Sequence, residues 1–484
     1  MREIIDQVAR VPRTCTWELT LRCNLRCGHC GSRAGIARPG EMPRDAMLRG
    51  VRELAALGCE RITLSGGEPT LSPHWQAIAA EGARLGVRMN MITNSVGASK
   101  ELVRQACDVG LANLGVSVDG LRDEHDRVRG LPGLFDRVME LIDQCAVDKM
   151  PVGAITTITR GNLRELEAIH DQLVGRVFGW QLQIGAAMGS LLDNVSEQIR
   201  PEDLLEVIPA IARLIDKKRI DIRVADNVGY YGPFEKTIRH ARTSPTRHWI
   251  GCYAGCRHIG IESDGGVKGC LSLQASHATE GNLMRESLGD IWRRERAFAY
   301  NRAFSLSDLG GFCRTCEYAA VCRGGCLSMR VCEGGRENPF CYHRVATLAS
   351  QAKGRRKWHY VPMAIAPAAV LASMGLGCDG SQHEAANFYG IACPGPGCYQ
   401  HKDASMDQDA AEAPPIMDVA LYGEFTPQDA YGVPPYDAPP DSPDAAAPDA
   451  DANDPDVNEE ESAVDPDAMP ETGSWYGMDA PDES

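Results

Sequence analysis

The chain has no continuous apolar stretch near its start. It opens Met1-Arg2-Glu3-Ile4-Ile5-Asp6, where charges interrupt each short apolar run, so no secretory signal is expected there. An overall basic balance is also missing. Asp and Glu number 66 against 50 Lys and Arg, and no nucleic-acid-binding motif stands out, which argues against a role on nucleic acid. Only about thirteen residues precede the first strand-like run, too few for a separate peptide-recognition module ahead of it. Basic residues nearly vanish at the other end. From Asp379 to Ser484 there are 25 Asp and Glu and a single cation, Lys402, so the rest of the chain is net basic, at +8. The Pro-, Ala- and Asp-rich segment 379–484 cannot bury enough apolar surface to offset the entropy of ordering it, and is expected to be a disordered acidic tail.

Cysteine, by contrast, is plentiful, with 19 in 484 residues. A small secreted domain would use such a number for disulfides, but this body is too long and too rich in helix and strand patterns. Thiols in a large intracellular chain are more often metal ligands or catalytic groups, and a cytoplasmic location is expected.

The residues 14 to about 225 alternate short β-rich runs with amphipathic helical stretches. Strands are predicted at Thr14–Thr20, Arg61–Leu64, Val87–Ile92, Leu114–Val118, Ala154–Ile158, Trp180–Ile184 and Ile220–Val224. Helices are predicted at Arg44–Leu57, with Met47, Val51, Leu54 and Leu57 on one face and Gly58 as the stop, and at Leu134–Ala146. Repeated βα units of this kind make a parallel sheet, and about six of them make a full or partial barrel of the α/β class. Chemistry in such barrels sits at the C-terminal ends of the strands.

Two motifs fall at that face. Cys23, Cys27 and Cys30, in the run Cys-Asn-Leu-Arg-Cys-Gly-His-Cys, follow the first strand, and Ser65-Gly66-Gly67-Glu68-Pro69 follows the second. Three thiolates are one fewer than a closed zinc site or an electron-transfer cluster wants. On a [4Fe–4S] cluster they leave one iron open. A structural zinc loop is the competing reading, weakened because no fourth ligand follows at suitable spacing; Glu68 as an ordinary surface carboxylate is the competing reading for the second motif.

The pair of motifs resembles the radical S-adenosylmethionine (radical SAM) enzymes. The resemblance implies a partial (β/α)6 barrel in which Cys23, Cys27 and Cys30 bind the cluster that chelates SAM, and Gly66, Gly67, Glu68 and Pro69 line its methionine amino group. Asn94, Ser117 and Asp119 match positions that touch the methionyl or ribose parts of SAM. His29 stands where an aromatic residue near the adenine is usual.

A second cysteine set, Cys313-x2-Cys316-x5-Cys322-x3-Cys326, follows Cys252-x12-Gly265-x4-Cys270, with Cys341 beyond. It resembles the SPASM extension of radical SAM enzymes, as does Ser117-Val118-Asp119-Gly120 followed by His125-Asp126 and Arg129-Gly130. The resemblance implies two auxiliary [4Fe–4S] clusters, three in all with the SAM cluster. Cys252, Cys256, Cys270 and Cys326 would hold the first, and Cys313, Cys316, Cys322 and Cys341 the second. Cys332 is the spare and could replace Cys341; a pair of zinc sites on the same thiols is the alternative. Cys15, Cys59, Cys107 and Cys145 sit in apolar surroundings and are expected to be buried small hydrophobes. In sulfatase-maturing members an aspartate directly follows the cysteine of the Gly-x4-Cys element. Here Leu271 follows Cys270, which argues against that oxidation, and no substitute general base is evident.

The domain reading is therefore a radical SAM barrel over 14–225, a SPASM domain over 250–345, a basic and apolar segment at 354–378 and the acidic tail. Arg355-Arg356-Lys357 followed by Val361–Gly377 and Cys378 resembles a lipoprotein or twin-arginine signal placed mid-chain. A helix packed on the enzyme and a membrane attachment both remain open there. Tyr-Gly recurs in the tail, at Tyr389, Tyr422, Tyr431 and Tyr476. The tail is either a solvating segment or a precursor-like peptide fused to its own modifying enzyme.

Together these features predict a radical SAM/SPASM enzyme of the peptide-modifying maturase type. It would act by hydrogen abstraction to give a crosslink, an epimerisation or an oxidative change. Its partners would be a peptide or protein substrate and a reductase or a ferredoxin- or flavodoxin-type electron donor. The alternatives are a SPASM enzyme acting on a small molecule or tetrapyrrole, and a non-catalytic iron–sulfur electron-transfer protein.

Overall fold

The computed structural model describes residues 11–97, 99–239, 248–332 and 335–352. The basic and apolar segment and the acidic tail lie outside the described residues.

Seven parallel strands follow one another in sequence order and in space. They are β1 (Thr14–Thr20), β2 (Arg61–Gly66), β3 (Arg88–Thr93), β4 (Asn113–Ser117), β5 (Val152–Ile158), β6 (Gly179–Ile184) and β7 (Asp221–Val224). Nearly every residue in them is buried, as befits a parallel sheet covered on both sides, and the strands are rich in Val, Ile, Leu and Met. Helices connect them: α1 (Arg44–Ala56), α2 (Trp75–Arg84), α3 (Ser99–Asp108), α4 (Arg122–Arg129), α5 (Leu134–Val147), α6 (Leu166–Leu173) and α7 (Leu204–Asp216). Each buries one stripe. In α1 that stripe is Met47, Val51 and Leu54, and Gly58, at φ +86°, ends the turn beyond it. The result is the expected α/β partial barrel.

Two observations go beyond the sequence expectation. The sheet does not stop at β1. Strand β8 (His258–Ile261) pairs in parallel with β1, Thr14 opposite His258 through Trp17 opposite Ile261. Two short antiparallel strands, β9 (Gly266–Lys268) and β10 (Gly281–Asn282), extend it further, giving ten strands in the order β10-β9-β8-β1-β2-β3-β4-β5-β6-β7. The cysteine-dense region thus contributes three strands to the barrel's own sheet. A buried ionic group marks the seam. Glu18 of β1 accepts from Arg38 Nη2 at 2.8 Å and from Ser263 Oγ at 2.8 Å, while Glu262 meets Lys268 at 2.9 Å.

The second observation corrects an expectation. Cys15, Cys59 and Cys145 are buried, but Cys107 is exposed. It lies on α3 just past the stripe formed by Leu102, Val103 and Ala106. Among the described residues no helix is long and apolar enough to cross a membrane.

Candidate functional site

The chain after β1 turns through Cys23–Cys30 and is pinned by backbone bonds on both sides. Gly28 N donates to Val128 O at 2.7 Å, and Ser190 N, beyond β6, donates to Cys30 O at 2.7 Å. The end of β2 lies directly against this loop. Gly67 N donates to Thr20 O and Glu68 N to Arg22 O, both at 2.8 Å. Only glycine permits that approach. A Cβ on Gly66, whose φ is +142°, would stand 2.2 Å from Thr20 O, and one on Gly67 would stand 2.2 Å from Arg22 O.

Glu68 is not a surface carboxylate; it is 1 % exposed. Its oxygens accept from Thr70 Oγ1 at 2.7 Å, Asn94 N at 2.8 Å and Thr93 Oγ1 at 3.0 Å. Burial raises its pKa, and these donors pull the other way. Asn94, at the end of β3, donates through Nδ2 to Asn24 Oδ1 at 2.7 Å and lies 3.7 Å from Cys23 Sγ.

Beyond β4, Asp119 is buried, and protein donors meet both of its oxygens. Oδ1 accepts from Thr157 N at 2.7 Å, and Oδ2 from Arg129 Nε at 2.8 Å and from His29 Nε2 at 3.0 Å. Burial alone would raise its pKa, but Arg129 and His29 hold it well below the usual carboxylate range. Backbone Asp119 N donates to His125 Nδ1 at 3.1 Å. Burial, and then the Arg129 charge, push His125 down to about 4.

These groups enclose one cavity of about 110 Å³ at the C-terminal ends of the strands. Of the residues predicted for the SAM site, Cys23, Cys27, Cys30, Gly66, Gly67, Glu68, Asn94, Ser117 and Asp119 all line it, as does His29. Pro69 does not; it is buried at the start of a single 3-10 turn, Pro69–Leu71. Among the lining residues that were not predicted for the site are three with polar or charged side chains from later elements, Arg129, Thr157 and Gln183. The Arg129-Gly130 pair was visible in the sequence, but only the fold brings its guanidinium to Asp119 and Cys27.

The thiol surroundings fit a bound iron–sulfur cluster. Leu25 N lies 3.4 Å from Cys23 Sγ, Ala34 N lies 3.4 Å from Cys30 Sγ, and Arg129 bears on Cys27. Burial raises Cys23 and pushes Cys27 up to about 12 against the pull of Arg129. As free thiols they therefore keep their protons, and a metal must displace them.

Two more thiol-lined cavities lie in the region after β7. One of about 20 Å³ is lined by Cys313, Cys316, Cys322 and Cys341 together, with Tyr230, Tyr231 and His343. The Cys332 side chain lies outside the described residues. The other, about 40 Å³, is lined by Cys252, Cys270 and Cys326 with Asp226 and Ser328. Cys256 is not among its lining residues; Asn301 Nδ2 approaches its sulfur at 3.7 Å. Gln183 lines both this cavity and the one at the strand ends, so the two share a wall residue.

Comparison with known proteins agrees with this geometry. Residues 17–173 match the model of the radical SAM superfamily, and residues 252–317 match that of the SPASM iron–sulfur cluster-binding domain. The chain is 27 % identical over 359 residues to an AdoMet-dependent heme synthase of Methanosarcina barkeri, covering 70 % of this chain and 98 % of that one. It is 29 % identical over 323 residues to a PqqA peptide cyclase of Methylorubrum extorquens, covering 64 % and 78 %. Its fold resembles SuiB of Streptococcus suis solved with bound S-adenosylmethionine, with a TM-score of 0.56, 16 % identity, and coverage of 69 % of this chain and 77 % of that one. The chain carries the two domains of a radical SAM/SPASM enzyme, and those domains imply iron–sulfur clusters and SAM.

Proposed function

We propose that this radical SAM/SPASM enzyme modifies a peptide, and that the Tyr-Gly-bearing segment of its own chain is the substrate. The observation that carries the reading is the recurrence of Tyr-Gly at Tyr389, Tyr422, Tyr431 and Tyr476 in the same polypeptide as the enzyme. A tether raises the effective concentration of such a segment to roughly millimolar.

Cys23, Cys27 and Cys30 would hold the SAM cluster. Cys252, Cys270 and Cys326 would hold one auxiliary cluster, and Cys313, Cys316, Cys322 and Cys341 the other. A [4Fe–4S] cluster with an open iron supplies, with SAM, a 5′-deoxyadenosyl radical able to take hydrogen from unactivated C–H bonds. The chain's own residues bind and orient. Asn94 is fixed by Asn24 beside the first thiol, and Glu68 is held by three donors at the wall. Asp119 keeps Arg129 and His29 in place across the cavity. The electron donor would be a reductase or a ferredoxin- or flavodoxin-type protein.

A tetrapyrrole substrate is the second reading, favoured by the heme synthase of Methanosarcina barkeri, which this chain matches over 98 % of that enzyme's length. One experiment separates the two. The protein is reconstituted and reduced anaerobically with SAM, and 5′-deoxyadenosine is measured alongside the intact mass of the chain. A mass change within 379–484 is the expected result. An unchanged chain, with nucleoside release that responds to an added iron porphyrin precursor, would replace the peptide reading with the tetrapyrrole one. No SAM cleavage at all would return the chain to electron transfer.

A further inference from the structure

We propose that Asp226 is the fourth protein group of the auxiliary site built by Cys252, Cys270 and Cys326, in the place that the cysteine pattern gives to Cys256. This rests on the reading that the SPASM region holds an auxiliary cluster there.

The argument is one of placement. Cys252 precedes β8, Cys270 follows β9 and Cys326 starts the turn into the short helix Leu327–Cys332, yet all three line one cavity of about 40 Å³. Asp226 lines the same cavity, two residues past the end of β7. Its carboxylate bears electrostatically on each of the three thiols. Cys256 does not line that cavity. It lies in the tight turn where Cys256 N donates to Tyr253 O at 2.9 Å, and its sulfur faces Asn301.

The aspartate is held in position. Tyr230, fully buried, donates its hydroxyl to Asp226 O at 2.5 Å and accepts from Cys326 N at 2.9 Å. One phenol therefore ties the backbone of the aspartate to that of the third thiol. The next residue, Asn227, is fixed to Ile184 of β6, accepting from its N at 3.3 Å and donating to its O at 2.7 Å. A carboxylate oxygen is a weaker and harder donor to iron than a thiolate, so this ligand set differs chemically from a four-cysteine site. It also puts a carboxylate in a cavity that shares a wall residue, Gln183, with the cavity at the strand ends.

The test uses the full-length protein, reconstituted anaerobically, with iron and sulfide counted and the reduced protein examined by electron paramagnetic resonance with redox titration. Cys252→Ala sets the reference by losing the iron of one cluster. The expected result is that Cys256→Ala keeps the wild-type iron content, spectrum and potentials. Asp226→Asn, close in shape, should alter the spectrum and midpoint of one auxiliary cluster, and Asp226→Cys should retain the iron while lowering that midpoint. If Cys256→Ala loses as much iron as Cys252→Ala, or Asp226→Asn leaves spectrum and potential unchanged, the proposal is overturned while the auxiliary site stands. If Cys252→Ala itself keeps all its iron, the auxiliary site falls and the proposal with it.

Discussion

His125 shows how a single buried side chain ties this site to pH. Its ring is enclosed and packs edge-on to Phe135 at 5.8 Å, and Nδ1 accepts from Asp119 N, so the neutral form is the native one. With a native pKa of about 4 and an unfolded value of about 6.5, the unfolded chain gains a proton in a window where the folded chain does not. Stability is therefore fully present above pH 6.5, falls as the pH drops toward 4 and levels off below that, a loss of up to about 3 kcal/mol. Urea midpoints of the wild type and His125→Gln, taken at pH 7 and pH 5, check this. The wild type should lose more between the two pH values than the variant; equal losses would remove His125 as the cause. The same residue marks what a sequence can reveal at this scale. The three cysteines and the Gly-Gly-Glu-Pro run are local, and their spacing is their signal. Asp119, His125 and Arg129 stood in a recognisable run, but their union with His29 depends on α4 folding back over the cysteine loop, which local spacing does not give. Cys107 misled for a related reason. Its neighbours are apolar, but one step around a helix decides which side faces water.

At the scale of elements, the βα alternation was legible because each unit repeats a strong period, and the seven expected strands all occur, with boundaries moved by one or two residues. β8 was not legible. It has four residues, His-Ile-Gly-Ile, and pairs with a strand more than 240 residues away; neither its length nor its composition separates it from the loops around it. Its role makes it sensitive. Ile259 is fully buried and sits opposite Cys15 of β1. Ile259→Ala should cost about 2–5 kcal/mol through lost burial and the cavity left behind. Because β1 leads directly into Cys23, the variant should also load less iron at its first cluster site. Denaturant unfolding and iron analysis of the purified variant measure both effects, and full iron loading at reduced stability would uncouple the seam from the cysteine loop.

The whole chain is divided electrically. The body is net basic, while 379–484 is strongly acidic, and together they give −16. Ending the chain at residue 378 should therefore invert the protein's behaviour at neutral pH, from retention on an anion exchanger to retention on a cation exchanger. If the tail is the substrate, the shortened enzyme should release 5′-deoxyadenosine without changing mass, and adding the tail as a separate peptide should restore product at higher concentration than the tether requires. Product formed equally well at micromolar peptide would argue that the tether confers no advantage.

The pairing of β8 with β1 also has a consequence in time. The first thirty residues carry the first cluster's cysteines, yet one edge of the strand leading to them stays uncovered until His258–Ile261 has been synthesised. At about 5–20 residues per second, that wait is roughly 10–50 s. The earliest-made strand of the enzyme thus waits for a segment from the middle of the chain, and its iron is expected to arrive only after His258–Ile261 has been made.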